Sequence, residues 1–128
     1  MGRATGGAAT PPRPLRRLAG ERRRLELAKA RLDWLALYPR PVRIERVRVF
    51  VAPAFFRIPG YRRFHGFTFS RTILVRHENV SADLIAHELC HVWQMQHQPL
   101  RATVAWFRYP YRENPYEIEA RQAVADTS

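Results

Sequence analysis

The sequence predicts a single α+β domain, and three observations carry that prediction. Apolar residues recur at helical spacing before residue 39 and again after residue 80, while two β-branched segments alternate with polar residues between them. The chain has 128 residues, 46% of them apolar, which suffices for one core and leaves no room for a second. The sheet built by the middle segments should be short and twisted, antiparallel or mixed, with one helix before it and several after it.

Residues 1–13 are Gly, Pro and small side chains without periodicity and are expected to form a flexible tail, leaving 14–128 as the domain. The tail is acid-free and carries arginine, as transit peptides do, but it is too short and too broken by proline to be read as one. From Leu15 to Tyr38 the positions Leu18, Leu25, Ala28, Leu32, Leu35 and Ala36 give an apolar stripe, and Pro39 and Pro41 stop the helix. Gly20 weakens its first turn, which moves the expected start to Glu21. The opposite face carries Arg16, Arg17, Arg22, Arg23, Arg24 and Arg31, either a solvated surface or a contact for nucleic acid.

Val42 to Val51 alternates with arginine and reads as a strand with one wet face. Ala52 to Gly66 is a loop whose rings Phe55, Phe56, Tyr61 and Phe64 are expected to cover the core rather than to stack on bases. Phe67 to Arg76 reads as a second strand, with His65 and His77 as ordinary polar residues at loop edges. Ser81 then caps a helix with apolar positions Leu84, Ile85, Leu89 and Val92, which Pro99 ends or kinks. Leu100 to Tyr109 forms a short apolar helix closed by Pro110, and Asn114-Pro115 opens the last helix with a capping side chain and a proline at the first helical position.

The net charge of +11 is almost all arginine, because Lys29 is the sole lysine. Such a field attracts nucleic acid, anionic membrane or acidic protein without choosing among them, and biased base composition would produce it equally well. No apolar run is long enough to cross a bilayer and no secretory signal opens the chain, so a cytoplasmic protein without a membrane partner is expected. The single cysteine, Cys90, rules out an internal disulfide and is expected to pack as a small apolar group behind His91.

The chemistry concentrates in His87-Glu88-Leu89-Cys90-His91. At about 100° per residue a helix brings His87 and His91 to one face a turn apart, so both imidazoles can reach one ion. Glu88 then lies beside that ion, where a carboxylate can take a proton from an activated water; this is why H-E-x-x-H on a helix points to a zinc hydrolase. Zinc in such a site wants a third protein ligand and an open position. His97 completes the metzincin spacing, but it lies about 240° further round the helix, and Gln94 occupies the position where that signature has the glycine that breaks the helix. Glu113 precedes the last helix, whereas Glu117 and Glu119 sit on it about 200° apart, so only one of the latter two can face the metal. Glu117 shares its face with the small Ala120, which allows close helix approach; its alternative role is a capping-box partner of Asn114.

His-Glu-Leu-Cys-His-Val-Trp-Gln followed by Asn-Pro-Tyr-Glu-Ile-Glu-Ala resembles the gluzincin group of zinc metallopeptidases, most closely its small bacterial members, the minigluzincins and the peptidase-like domain found with contractile injection systems. The resemblance covers about residues 67–126 and is silent on the N-terminal helix. It implies a small zincin-like domain with His87, His91 and Glu117 as zinc ligands, Glu88 as general base, and Phe67 to Arg76 as an edge strand beside the cleft, where substrate backbone adds as a further strand. One position departs from the family: the acid four residues after the ligand glutamate, which orients a zinc histidine, is Arg121 here.

The leading expectation is therefore a zinc-dependent peptidase acting on a peptide or protein, with Tyr109, Tyr111, Arg112 and Tyr116 as candidate oxyanion donors, none of which stands out in sequence. Two alternatives keep the metal: a weakly active or inactive zincin-like interaction module, suggested by Arg121, and a DNA-associated metalloprotease resembling the SprT kind, in which the arginine face holds nucleic acid. The sequence assigns no oligomeric state.

Overall fold

Four strands form one mixed sheet in the order β1-β2-β4-β3 in the computed structural model, which describes residues 15–127, so the predicted tail at 1–13 lies outside the described residues. β1 (Arg16–Arg17) pairs antiparallel with β2 (Arg48–Val51), β2 runs parallel to β4 (Thr72–Val75), and β3 (Gly66–Phe69) closes an antiparallel hairpin with β4. The four helices are α1 (Glu21–Leu35), α2 (Ala82–His97), α3 (Pro99–Arg108) and α4 (Pro115–Thr127). The α+β expectation is met.

The core lies where α1 and α2 pack on the sheet. Val49, Val51, Ile73 and Val75 meet Leu25 and Leu32 of α1 and Ile85, Leu89, Val92 and Trp93 of α2, all buried. Each fully buried aliphatic side chain contributes about 1.5–3 kcal/mol relative to exposure. Trp93 is wholly enclosed and satisfies its indole N–H on the Arg40 carbonyl at 2.8 Å. Cys90, also fully buried, behaves as the expected apolar filler, with its thiol pushed up to about 12 by burial and then by nearby carboxylates.

α1 starts at Glu21, as Gly20 led us to expect: Gly20 takes a left-handed φ of 68°, and before it Arg16–Arg17 pair with Phe50 and Val51. Two predicted strands are corrected. The strand predicted over 42–51 is ordered only from Arg48, because Val47 N–H turns back to the Ile44 carbonyl at 3.0 Å. The Arg22 guanidinium reaches in to take the Ile44 and Val47 carbonyls, in place of a neighbouring strand. The strand predicted over 67–76 is two strands joined at Ser70 and Arg71, with Ser70 at φ 59°. The break leaves β3 as the edge strand on one side of the sheet, with the two-residue β1 on the other.

The three later helices match expectation closely. Ser81 accepts a hydrogen bond from Leu84 N–H at 3.0 Å as N-cap of α2, and Asn114 accepts one from Tyr116 N–H at 2.9 Å at the head of α4. Ala120 and Ala123 are buried where α4 packs on α2, which brings the first turn of α4 up to the histidines.

Candidate metal centre

His87 and His91 stand one turn apart on α2, with ring centroids 5.0 Å from each other, and Glu117 in the first turn of α4 meets both. Its Oε1 lies 2.6 Å from His87 Nε2 and its Oε2 lies 3.0 Å from His91 Nε2. Among the described residues these three form the group of His, Cys and acidic side chains close enough to hold one ion, with donor atoms all within 4.8 Å of one another. Tetrahedral bonds of about 2.0–2.2 Å place donors about 3.3–3.6 Å apart, so a small opening of the cluster would admit zinc. The donor set, two imidazole nitrogens and a carboxylate, is one that could hold a divalent metal ion. Glu117 Oε1 is buried and receives no well-directed hydrogen bond despite the neighbouring imidazole, leaving a lone pair for a cation.

The electrostatics point the same way. Burial alone would raise the Glu117 pKa, but the two imidazoles outweigh it and hold the carboxyl well below the usual carboxylate range. Burial disfavours charge on His91, yet Glu117 and Glu88 overcome that and raise its pKa to about 9. A proton and a cation therefore compete for the same Nε2 lone pair.

The orientation of His91, which the missing acid at position 121 left open, comes from its own helix. His91 Nδ1 lies 2.7 Å from the Gln94 amide oxygen, and the Gln94 amide nitrogen donates to the Tyr116 carbonyl at 2.8 Å and to Glu119 Oε1 at 2.9 Å. Glu119 Oε1 also accepts from the Tyr38 hydroxyl. With the amide oxygen facing it, Nδ1 carries the hydrogen and Nε2 presents its lone pair to the cluster. Arg121 takes no part in this: it donates to the Arg112 carbonyl at 3.0 Å and sits 3.8 Å from Glu117 Oε1.

Glu88 is 5% exposed, and its Oε1 accepts from the Thr68 hydroxyl at 2.6 Å. Thr68 also donates to the Glu88 carbonyl at 3.1 Å, so β3 ties the carboxylate to its own helix. Gly66 makes room for it, since a Cβ there would stand 3.1 Å from both Glu88 Cγ and Oε2.

The remaining candidates separate cleanly. α2 runs unbroken to His97, which lies outside the cluster, stacks on Tyr38 at 5.1 Å and contacts the Trp93 carbonyl through Nδ1. Glu113 is exposed on the turn before α4, and Glu119 faces Gln94 and Tyr38 behind the cluster. Among the four candidate oxyanion donors, Tyr111 lines the cleft beside Glu88 and Glu117. Burial and then the Glu117 charge push its hydroxyl above its usual value, so it stays a donor at neutral pH. The Tyr116 hydroxyl is committed to Gln98 at 2.7 Å, Arg112 lines the outer part of the cleft, and Tyr109 packs under Arg108. His65, expected to be an ordinary loop residue, lines the cleft as well, while His77 is exposed away from it.

The cleft has two halves that share Phe64, Gly66, Glu88, Tyr111 and Glu117. One half, about 790 Å³, is lined by Arg63, Arg112 and Arg121; the other, about 360 Å³, by Phe67, Phe69, Met95, Trp106 and Phe107. Of the loop rings expected to cover the core, Phe56 and Phe64 are buried as expected, while Tyr61 and Phe64 also line the cleft and, with Phe55, pack on Phe67 of β3.

The arginines expected on one face of the first helix fall on β1 and α1 and are largely occupied with holding the fold. Arg16 binds Glu78, Arg17 binds Glu21, Arg22 and Arg24 bind backbone carbonyls, and Arg31 pairs with Asp83 at 3.0 Å. Among the described residues no helix is long and apolar enough to cross a membrane. No family model matches the chain, and neither a curated protein nor a solved structure is significantly similar to it.

Proposed function

We propose that this protein is a zinc-dependent peptidase of the gluzincin type, with His87, His91 and Glu117 as ligands and Glu88 as general base. The observation that carries the reading is the convergence of two imidazole nitrogens and a carboxylate within 4.8 Å, next to a second carboxylate fixed by Thr68, on the floor of an open cleft. Zinc in that set supplies a Lewis acid for the scissile carbonyl oxygen and lowers the pKa of water toward neutrality.

The protein's own groups do the rest. Glu88 accepts a proton from water as the water oxygen bonds to the carbonyl carbon, and returns it to the amide nitrogen as the C–N bond breaks. Tyr111, kept protonated beside Glu117, donates to the developing oxyanion, a contact of a kind worth about 3–4 kcal/mol in the transition state. β3, the edge strand beside the cleft, offers its backbone to an extended peptide. Glu88→Gln should abolish peptide cleavage while the protein still binds about one zinc, because the variant keeps all three ligands. Cleavage by that variant at the wild-type rate would end the assignment.

Arg121 favours a second reading, a metal-binding module with little activity, since a guanidinium 3.8 Å from Glu117 opposes a dication there. Protein carrying a full complement of zinc and cleaving nothing in a broad peptide mixture would select it.

A further inference from the structure

The two halves of the cleft differ in chemistry, and that difference is not needed to bind a metal or to activate water. On one side of the His87–His91–Glu117 cluster the wall is basic. Arg63 and Arg112 have no carboxylate partner among the described residues, and Arg121 has only Glu117 at 3.8 Å. Of the acids on that wall, Asp83 is paired with Arg31 at 3.0 Å, Glu88 is held by Thr68 and Glu117 belongs to the cluster, so none of them occupies Arg63 or Arg112. Arg63 is held in place by its own aromatic neighbours, 5.1 Å above the Phe64 ring and 5.6 Å from Tyr111, so its charge is fixed at the rim rather than free to swing away. Three guanidiniums around a vacant concavity are complementary to carboxylates.

The other wall is apolar and exposed. Phe107 is 81% accessible and Phe69 is 66% accessible, and both border the same cavity as the half-exposed Trp106. Trp106 packs edge-on against Phe67 at 5.5 Å, which fixes helix α3 to the edge strand and holds the slot open between them. Large rings so placed gain stability only when something covers them.

We propose that the cleft selects peptides carrying an acidic side chain on one side of the scissile bond and a bulky aromatic or aliphatic side chain on the other. This rests on the peptidase reading and adds its substrate class. An extended chain advances about 3.3 Å per residue and alternates its side chains, so both determinants fall within the few residues flanking the cluster. The overall charge of +11 draws such acidic segments in from a distance, and the arginine wall sets their register.

The test measures binding and cleavage separately. Labelled ten-residue peptides carrying Glu and Phe on opposite sides of a central Ala-Ala, in both orders, are compared with versions bearing Lys for Glu or Ala for Phe. Binding is read by fluorescence anisotropy on zinc-loaded Glu88→Gln protein, and cleavage on the wild type. One order of the Glu/Phe peptide should bind about 10-fold more tightly than either of its substituted versions. Its advantage over the Lys version should shrink as salt rises, and its advantage over the Ala version should not.

Arg63→Glu with Arg112→Glu should invert the Glu-over-Lys preference and leave the Phe preference intact; Phe69→Ser with Phe107→Ser should do the converse. All four side chains are on the cleft surface, so the folded state should survive, as a circular dichroism melt will report. Equal binding of all the peptides within about twofold, or a charge reversal that leaves the preference unchanged, overturns the proposal. Zinc-dependent cleavage that ignores the Glu/Phe pair overturns the substrate class and leaves the peptidase standing. Ranked binding without zinc uptake or cleavage supports the cleft chemistry and removes the peptidase.

Discussion

Gln94 has two jobs that a pair of substitutions can separate. Its amide oxygen faces His91 Nδ1 at 2.7 Å, while its amide nitrogen ties α2 to the Tyr116 carbonyl and Glu119 on α4. Gln94→Leu keeps most of the volume and removes all three contacts. Because the side chain is 1% exposed, its partners would be left in a dry site. At about 1–1.5 kcal/mol for each neutral bond, and more where a partner is stranded, the expected loss of stability is about 3–4 kcal/mol. Losing the acceptor on His91 should also weaken zinc binding about 10- to 100-fold, or about 1.4–2.7 kcal/mol. Gln94→Glu restores an acceptor for Nδ1 but brings a second carboxylate against Glu119. It should therefore lose comparable stability while binding zinc at least as tightly as the wild type. Urea denaturation of the zinc-free proteins reads the first quantity and competition with a chromophoric chelator the second. If Gln94→Leu binds zinc within about twofold of wild type, the amide does not orient His91 and the account of the site without an acid at 121 is wrong.

Three further outcomes follow from the same geometry. Gly66→Ala puts a methyl 3.1 Å from the Glu88 carboxylate and should lower kcat about 10- to 100-fold with zinc content unchanged, so an unaltered kcat would show that Glu88 need not sit where Thr68 holds it. Arg121→Asp removes a cation 3.8 Å from Glu117 and should tighten zinc binding by about 1 kcal/mol at low salt, an effect that isothermal titration can read; weaker binding would count against repulsion by the guanidinium. Glu21 is buried, and although burial opposes its charge, Arg17 and the Val49 N–H at 2.6 Å outweigh this and lower its pKa from the usual 4.5. A depressed folded pKa means stability that is present above the unfolded value and lost as pH falls through the folded one. Glu21→Gln should therefore cost about 1–3 kcal/mol in urea at pH 7 and flatten the acid limb below about pH 4.5; an unchanged acid limb would refute the assignment.

What could be read in advance was whatever depends on local periodicity and capping. Ser81 before an apolar stripe and Asn114-Pro115 before another are decided within a turn or two of chain, and both helices begin where those residues put them. That Glu117 and Glu119 could not both face the histidines was legible for the same reason, since residues two apart on one helix point about 200° apart, and the small Ala120 on the Glu117 face tipped the choice. The strands were harder. Nothing local distinguishes Val42–Val47 from Arg48–Val51 as β-formers; the difference is that Arg22, far away in sequence, takes the Ile44 and Val47 carbonyls. Ser70 gave no glycine or asparagine signal, yet it adopts the left-handed backbone that turns one expected strand into a hairpin.

That hairpin is what makes a cleft. One continuous strand over 67–76 would itself end the sheet beside β2, whereas the turn at Ser70 folds Gly66–Phe69 back alongside β4 and against α2. Gly66 and Thr68 thereby arrive at Glu88, and Phe67 and Phe69 arrive opposite Trp106 and Phe107. The H-E-x-x-H helix carries its two histidines in sequence order, but the surroundings of Glu88 come from a turn of two residues with no strong signature. Gln94 was illegible for a related reason. Its place in the metzincin spacing marked it as a missing glycine, while the unbroken helix gives that position a different use, three residues beyond His91 on the same face. A polar residue at i+3 from a ligand histidine, buried and tied to the next helix, can therefore stand in for an acid supplied from across the site.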